Sequence, residues 1–275
     1  MNCEICNKKL FLFVKLKRFD LLKCLNCDHI ISNLKISKKY LRETYTKNYL
    51  MQKHKNWMNN PNIKFYKKIE NVILKNNIEK ILDLGCGKGL LLKFLIKRNP
   101  SLKLTGVDLF KHKKNKNINF VNKDIFKFKT KKKFSMIISI MVIEHIKKIK
   151  PFIGLINKLL KSNAFCIVNT INTNSFLYKI SHLLYLFNFK TPFLRLYDPH
   201  HLNHFSNKSL KKVFLQNGFS IVKIINTPVT MKQVDYPYDN FIKKYFFYFG
   251  IFLIVKLQNL FGFSWIQTIV LKKNN

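Results

Sequence analysis

Apolar positions change their period along this chain. Phe65, Ile69, Val72 and Ile73 fall at i, i+4, i+7 and i+8 after Pro61, which predicts a helix with one buried stripe. From residue 80 onward, short apolar runs alternate with helical stripes. Residues 80–84 form a strand that runs into a glycine-rich turn, and Leu90, Leu91, Phe94 and Leu95 give the next helix its inner face. Residues 102–107, 118–121, 134–140 and 165–168 are further strands, and 151–160 is a helix opened by its proline. Ser206 caps a helix carrying Leu210, Val213 and Phe214 that Gly218 ends, and 219–225 and 265–271 close the set as strands. Strand and helix in alternation predict an α/β fold with a doubly wound, mostly parallel sheet.

Two stretches break that rhythm. Residues 171–205 and 228–263 are too long for ordinary connections, so each is expected to fold over one end of the sheet, where such insertions carry substrate choice. Both are rich in Phe, Leu and Tyr, and together they predict one apolar cover with His201 at its inner edge. Within the second, 245–255 is apolar all round. It reads either as a helix buried beneath the insertion or as one that docks on a membrane or covers a lipid-like acceptor, with Lys243, Lys244 and Lys256 meeting anionic headgroups. The run is far shorter than the ~20 residues that span a bilayer.

The chain opens differently. Cys3, Cys6, Cys24 and Cys27 form C-x2-C-x17-C-x2-C, the spacing at which two turns present four thiolates to one structural Zn2+. Two disulfides, or thiols without a role, are the alternatives. With 10–14 and 19–22 as short strands, residues 1–31 read as a zinc ribbon. Residues 32–60, polar with Tyr40, Tyr45, Tyr49 and Trp57, read as a connector, and 61–275 as the α/β domain.

Charge changes the picture less than its size suggests. The net charge is +38, but 47 of the 51 basic residues are lysines, and Lys, Asn, Ile and Phe dominate together as A- and T-rich codons dictate. Mutational bias thus accounts for much of a balance that would otherwise point to a polyanion. No secretory signal is read at the start, where 1–9 is polar, so the expectation is a reducing cytoplasm, with peripheral contact on the inner membrane face through 241–256.

The chemistry centres on Asp83-Leu84-Gly85-Cys86-Gly87-Lys88-Gly89, between the first sheet strand and a helix. Its glycines let the backbone approach a ligand and its free N–H groups receive polar atoms. The spacing is not that of a dinucleotide fingerprint, and an acid two positions before the first glycine suits a cationic ligand such as S-adenosylmethionine. Asp108 ends the second strand, where an acid accepts ribose hydroxyls; Asp124, followed by Ile125, comes after the third and either accepts from an adenine amino group or caps a loop.

With D-L-G-C-G-K-G, G-V-D, N-K-D-I and Met141-Val142-Ile143-Glu144-His145-Ile146, the sequence resembles the class I S-adenosylmethionine-dependent methyltransferases from about residue 61 to 272. The cysteine pairs and Asp198-Pro199-His200-His201-Leu202-Asn203-His204-Phe205-Ser206 resemble a bacterial subgroup acting on small-molecule, sugar or lipid-like acceptors. The resemblance implies a seven-stranded sheet ending in a reversed hairpin, with cofactor and acceptor at the carboxyl ends of the strands. It also implies cofactor contacts from Asp83, Gly85, Cys86, Gly87, Gly89, Asp108, Asp124 and Ile125. Quinone O-methyltransferases of this class carry a metal-associated glutamate where this chain has Met141, a departure that argues against quinone chemistry and a catalytic metal.

A base is needed if the acceptor is a hydroxyl, and His145 and His201 are the candidates, with His204 third. Each has a structural alternative: His145 tying the loop after its strand, and His201 held by backbone. Two other functions remain open, a nucleic-acid methyltransferase and a non-catalytic zinc-ribbon protein with a vestigial cofactor fold. Dispersed lysines and only four arginines count against the first, and the intact acids and glycines against the second.

Overall fold

The computed structural model describes residues 1–34, 55–235, 240–261 and 264–275. Most of the connector, with Tyr40, Tyr45 and Tyr49, lies outside them. Two sheets organise the molecule. The larger has seven strands: β4 (Lys80–Leu84), β5 (Lys103–Asp108), β6 (Ile118–Asn122), β7 (Phe134–Ile140), β8 (Leu160–Ile171), β10 (Phe219–Asn226) and β11 (Ile266–Lys273). Their order is β10-β11-β8-β7-β4-β5-β6, and only β11 runs against the others. This is the doubly wound, mostly parallel sheet with a reversed terminal hairpin expected from the sequence.

Burial on both faces explains why the inner strands are apolar runs rather than alternating ones. Leu82, Leu84, Ile137 and Val168 face one core, and Ile81, Met136, Ile138 and Ile167 the other, the two-residue period of a strand. After the short α1 (Lys55–Asn59), helices α2 (Ile63–Lys75) and α3 (Leu90–Arg98) cover the second face through Phe65, Ile69, Ile73, Leu91, Leu92 and Leu95. Glu70 on α2 accepts from Arg98 Nε at 2.7 Å and from Asn99 at 2.9 Å, clamping α2 to the end of α3. Helices α4 (Ile149–Leu159) and α7 (Asn207–Leu215) cover the first face. Ser206 caps α7 as expected, in a capping box with Ser209.

The ribbon packs into that first core, with Cys3, Ile5, Leu10, Cys24 and Cys27 in one cluster with α4 and α7. Its strands are β1 (Phe11–Lys15), β2 (Asp20–Lys23) and β3 (Ile30–Asn33). β3 extends the ribbon past residue 31, into what reads in sequence as connector. It is then completed from far along the chain: β9 (Asn203–His204), within the first insertion, pairs antiparallel with β3. A two-residue strand leaves no periodicity to read. β8 likewise begins at Leu160, five residues before its apolar run, because exposed Lys161, Ser162 and Asn163 continue the strand without an apolar signal.

Both insertions are helical and meet over the carboxyl ends of the strands. The first supplies α5 (Phe176–Leu186) and α6 (Thr191–Leu196), the second α8 (Phe241–Phe261), and α8 touches α5. The buried-helix reading of 245–255 fails here. Only Val255 and Gln258 of the described α8 side chains are buried, whereas Phe241 is 81% and Phe246 69% exposed. Among the described residues no helix is long and apolar enough to cross a membrane.

Candidate functional site

The turn after β4 is pinned to β5. Gly85 and Cys86 N–H both donate to the Val107 carbonyl, at 2.8 and 3.3 Å. Gly85 has φ +79°, and a Cβ there would lie 2.3 Å from Val142 Cγ2, so neither conformation nor space admits a side chain. Gly89, at φ +67°, precedes the first residue of α3, and a Cβ would meet the Phe120 ring at 2.7 Å. Unlike Gly85, Cys86 and Gly87, Gly89 does not border the cleft described below; it shapes the turn from behind.

Asp108 is fixed at the end of β5 by two backbone donors, Gly87 N–H to Oδ2 at 2.8 Å and Phe110 N–H to Oδ1 at 2.7 Å. Asp124 accepts from Phe126 N–H at 2.8 Å and caps the single turn Ile125–Lys127, so the loop-capping role is realised while the residue still borders the cleft. Asp83 is almost wholly buried. Desolvation, reinforced by the charge of Asp108, pushes its carboxyl up to about 8. Tyr66 is raised well above the ordinary phenol range by burial and then by Asp83.

These groups open onto a cleft of about 1330 Å3. A single drug-sized ligand needs roughly 300–1,000 Å3, so there is room for a second molecule. Asp83, Asp108, Asp124 and Ile125 border it together with Met141, His145, His201, Leu177, Phe247 and Ile251. Both insertions therefore contribute wall, as the apolar-cover expectation required. A second depression, about 850 Å3 at the amino ends of β4 to β6, is lined by lysines and carries no acid.

His145 and His201 come together, their ring centroids 4.9 Å apart. His145 Nδ1 lies 2.8 Å from the His200 carbonyl, which can only accept, so Nδ1 carries the proton and Nε2 the lone pair of the neutral ring. The tie to the loop and the access to the cleft coexist. His204 is not part of this pair's surface. It is fully buried at the ribbon joint, 3.1 Å from Ser32 Oγ, and burial holds it neutral. Behind His145, Glu144 is completely buried; its Oε2 accepts from Thr170 Oγ1 at 2.8 Å while Oε1 has no hydrogen-bond partner. Burial raises Glu144 to about 7. Glu144, His145 and His201 each bring one atom within 4.8 Å of the others, a set able to hold a cation or pass a proton. Met141 turns an apolar side chain to the cleft at φ +54°, a left-handed backbone that few non-glycine residues adopt.

Sequence reasoning missed several wall residues. Met58 and Tyr66 border the cleft, and so do Asn169, Tyr178 and Trp265. Tyr66 was detectable in principle, since it lies off the apolar stripe of its helix; the others sit where nothing in the spacing marks them.

At the ribbon, the four cysteine sulfurs lie within 4.8 Å of one another. Cys3 and Cys27 Sγ are 3.6 Å apart and Cys6 and Cys24 Sγ 3.3 Å, with all cysteines free of disulfides. A tetrahedral Zn2+ with bonds of about 2.3 Å needs sulfurs roughly 3.8 Å apart, so the donor set fits. The contact between Cys3 and Cys27 favours a single thiolate, drawing Cys3 far below the usual thiol range while the same contact, with burial, pushes Cys27 up. The two knuckles match. Asn7 and Asp28, each directly after the second cysteine, have φ of +56° and +59°, and both residue types tolerate that region.

Residues 49–224 match the family described as a methyltransferase domain. The fold is similar to that of the plantazolicin methyltransferase BpumL, solved with a triazolic desmethylPZN analogue and SAH, at 16% identity over 87% of this chain and 92% of that one (TM-score 0.52). It is also similar to 1,6-didemethyltoxoflavin-N1-methyltransferase from Burkholderia thailandensis, at 10% identity over 92% and 98% (TM-score 0.57). No curated protein matches the sequence.

Proposed function

This chain belongs to the methyltransferase-domain family, and from that premise we propose that it moves a methyl group from S-adenosylmethionine to an oxygen of a small-molecule, sugar or lipid-linked acceptor with a substantial apolar part. One observation carries the reading: Asp83, the turn from Gly85, Asp108 and the histidine pair border a single cleft with room for two molecules. When bound, S-adenosylmethionine supplies a methyl on a sulfonium, open to in-line displacement.

The chain's own groups have these roles. Asp83 and the backbone at Gly85, Cys86 and Gly87 hold the cationic methionine part. Asp108 has its two oxygens oriented by Gly87 and Phe110 N–H, and their remaining lone pairs accept the ribose hydroxyls. Asp124 and Ile125 border the adenine. On the acceptor side, His145 Nε2 takes the hydroxyl proton, and His201 orients the hydroxyl beside it. Orientation by the apolar walls contributes the rest, because methyl transfer depends chiefly on proximity and alignment. We further propose that residues 1–33 are a zinc ribbon held by Cys3, Cys6, Cys24 and Cys27, structural and remote from the reacting methyl. Six free cysteines suit a reducing cytoplasm.

Calorimetric titration with S-adenosylmethionine tests the central claim, and binding of NAD in its place would overturn it. Asp108→Ala is expected to lose about 1–3 kcal/mol of cofactor affinity as charge-assisted hydrogen bonds go. Elemental analysis of protein purified under reducing conditions should give one zinc per chain, and none after all four ribbon cysteines become serine. Metal retained by that quadruple variant would remove the zinc assignment.

A further inference from the structure

We propose that the outer face of α8 is a docking surface for an anionic lipid bilayer. The proposal stands on this surface and goes beyond the transfer chemistry. An α-helix packed on a globular protein normally turns its apolar stripe inward. α8 also turns one outward. At 3.6 residues per turn, Phe247, Ile251, Ile254, Val255 and Gln258 share one side and are buried or half-buried, with Gln258 Nε2 donating to the Val229 carbonyl at 3.1 Å. The opposite side holds Ile242, Tyr245, Phe246, Phe249, Phe252 and Leu253, and every one is exposed. Nearby α5 ends in exposed Leu183 and Leu186, followed by exposed Phe187 and Phe189. An apolar surface of this extent on one end of a soluble fold marks an interaction site.

Charge identifies the occupant. Neither α5 nor α8 contains an acid, while Lys179, Lys190, Lys244 and Lys256 are exposed on or beside them. A face of aromatic and aliphatic side chains edged by lysines complements the headgroup and acyl boundary of an anionic leaflet. A second copy of the chain suits it less. A two-fold contact would set this lysine-edged face against itself in a molecule of net charge +38. The same helix presents Phe247 and Ile251 to the cleft, so the lipid-facing surface and the acceptor wall lie on opposite sides of one element.

The test uses the full chain and two vesicle populations, phosphatidylcholine alone and phosphatidylcholine with one-third phosphatidylglycerol. Wild-type protein should sediment with the anionic vesicles, more weakly with the neutral ones, and less at high salt. Phe246→Ser with Phe249→Ser should weaken anionic-vesicle binding at least tenfold, with S-adenosylmethionine affinity within twofold of wild type. Lys256→Glu, which removes the charge over the Phe252 ring without deleting an apolar side chain, should lower anionic binding roughly fivefold or more and erase much of the preference over neutral vesicles. The proposal is overturned if wild type ignores anionic vesicles at low salt, or if both variants bind as wild type does. It is equally overturned if the chain is a dimer that the double serine variant splits, which assigns the face to a second copy. Vesicle binding without cofactor binding would leave this surface standing and remove the methyltransferase reading; the converse would do the reverse.

Discussion

Asp83→Asn is expected to weaken S-adenosylmethionine binding on the order of 100-fold while stabilising the ligand-free protein. Both effects come from one buried carboxyl. Desolvation first, and the neighbouring Asp108 second, raise Asp83 to about 8. Its folded value therefore lies above its unfolded one. The stability it contributes is fully present below the ordinary carboxyl range and is lost as pH rises toward about 8, since the folded state then holds a proton that the unfolded state has released. Asparagine has no charge to desolvate. A gain of roughly 1–2 kcal/mol at pH 7 would raise Tm by about 2–8 °C. A cationic ligand reverses the balance, because it favours the ionised carboxylate. Cofactor binding near pH 7 should release protons, and affinity should climb with pH up to about 8 and then level off. Calorimetry in two buffers of different ionisation heat counts those protons. No release, with undiminished affinity in the asparagine variant, would show that Asp83 does not face the cation.

Opening the ribbon is expected to cost methyl transfer at least tenfold and to leave cofactor affinity within about twofold. The loop that carries His201 is held from the ribbon side: Ser32 Oγ donates to the His201 carbonyl at 2.8 Å, His29 Nε2 bonds Asn203 Oδ1 at 3.1 Å, and Ser206 Oγ donates to the Cys27 carbonyl at 3.1 Å. The hydrogen bonds of Gly85, Cys86, Gly87 and Asp108 run instead among β4, β5 and their turns. Chelation, or Cys24→Ser, should therefore separate turnover from cofactor binding. Phe205→Ala tests the joint without touching a cysteine. Phe205 is fully buried with its ring 4.8 Å from His29, and the cavity should destabilise the fold by roughly 3–5 kcal/mol. Acid should loosen the same joint. Burial lowers His29 to about 4, so the stability it contributes is present above the ordinary histidine range and is lost as pH falls toward that value. Turnover that survives both metal loss and Phe205→Ala would mean that the ribbon does not position His201.

How much was legible follows from the range of each interaction. The strands and the glycine turn were readable because their signals are local: a buried parallel strand is an apolar run, and Gly85 is needed where Val142 leaves no room for a side chain. The gathering of the four cysteines was readable because two C-x2-C turns each set a pair of sulfurs side by side. The joint was not. Nothing near His204 announces a strand, since β9 is defined by β3 rather than by its own residues. His204 and His201 look equivalent in sequence, three residues apart in one polar segment, yet one is sealed against Ser32 and the other borders the cleft. The fate of 245–255 was equally hidden, because an all-round apolar run does not say which side will find a partner.

The pairing of β3 with β9 has a further consequence, for the order in which the chain acquires its structure during synthesis. Ile30 pairs with His204 and Ile31 with Asn203, so a sheet begun in the first few dozen residues waits for some 170 more before its last strand exists. At translation speeds of about 5–20 residues per second that interval is roughly 10–35 s. Through it the newborn ribbon carries an open strand edge, kept short at four residues and ended by Asn33. The four cysteines all lie within the first 27 residues, so a metal taken up by their clustered sulfurs would need none of the missing chain and would hold the first three strands together until the methyltransferase domain emerges and closes the sheet.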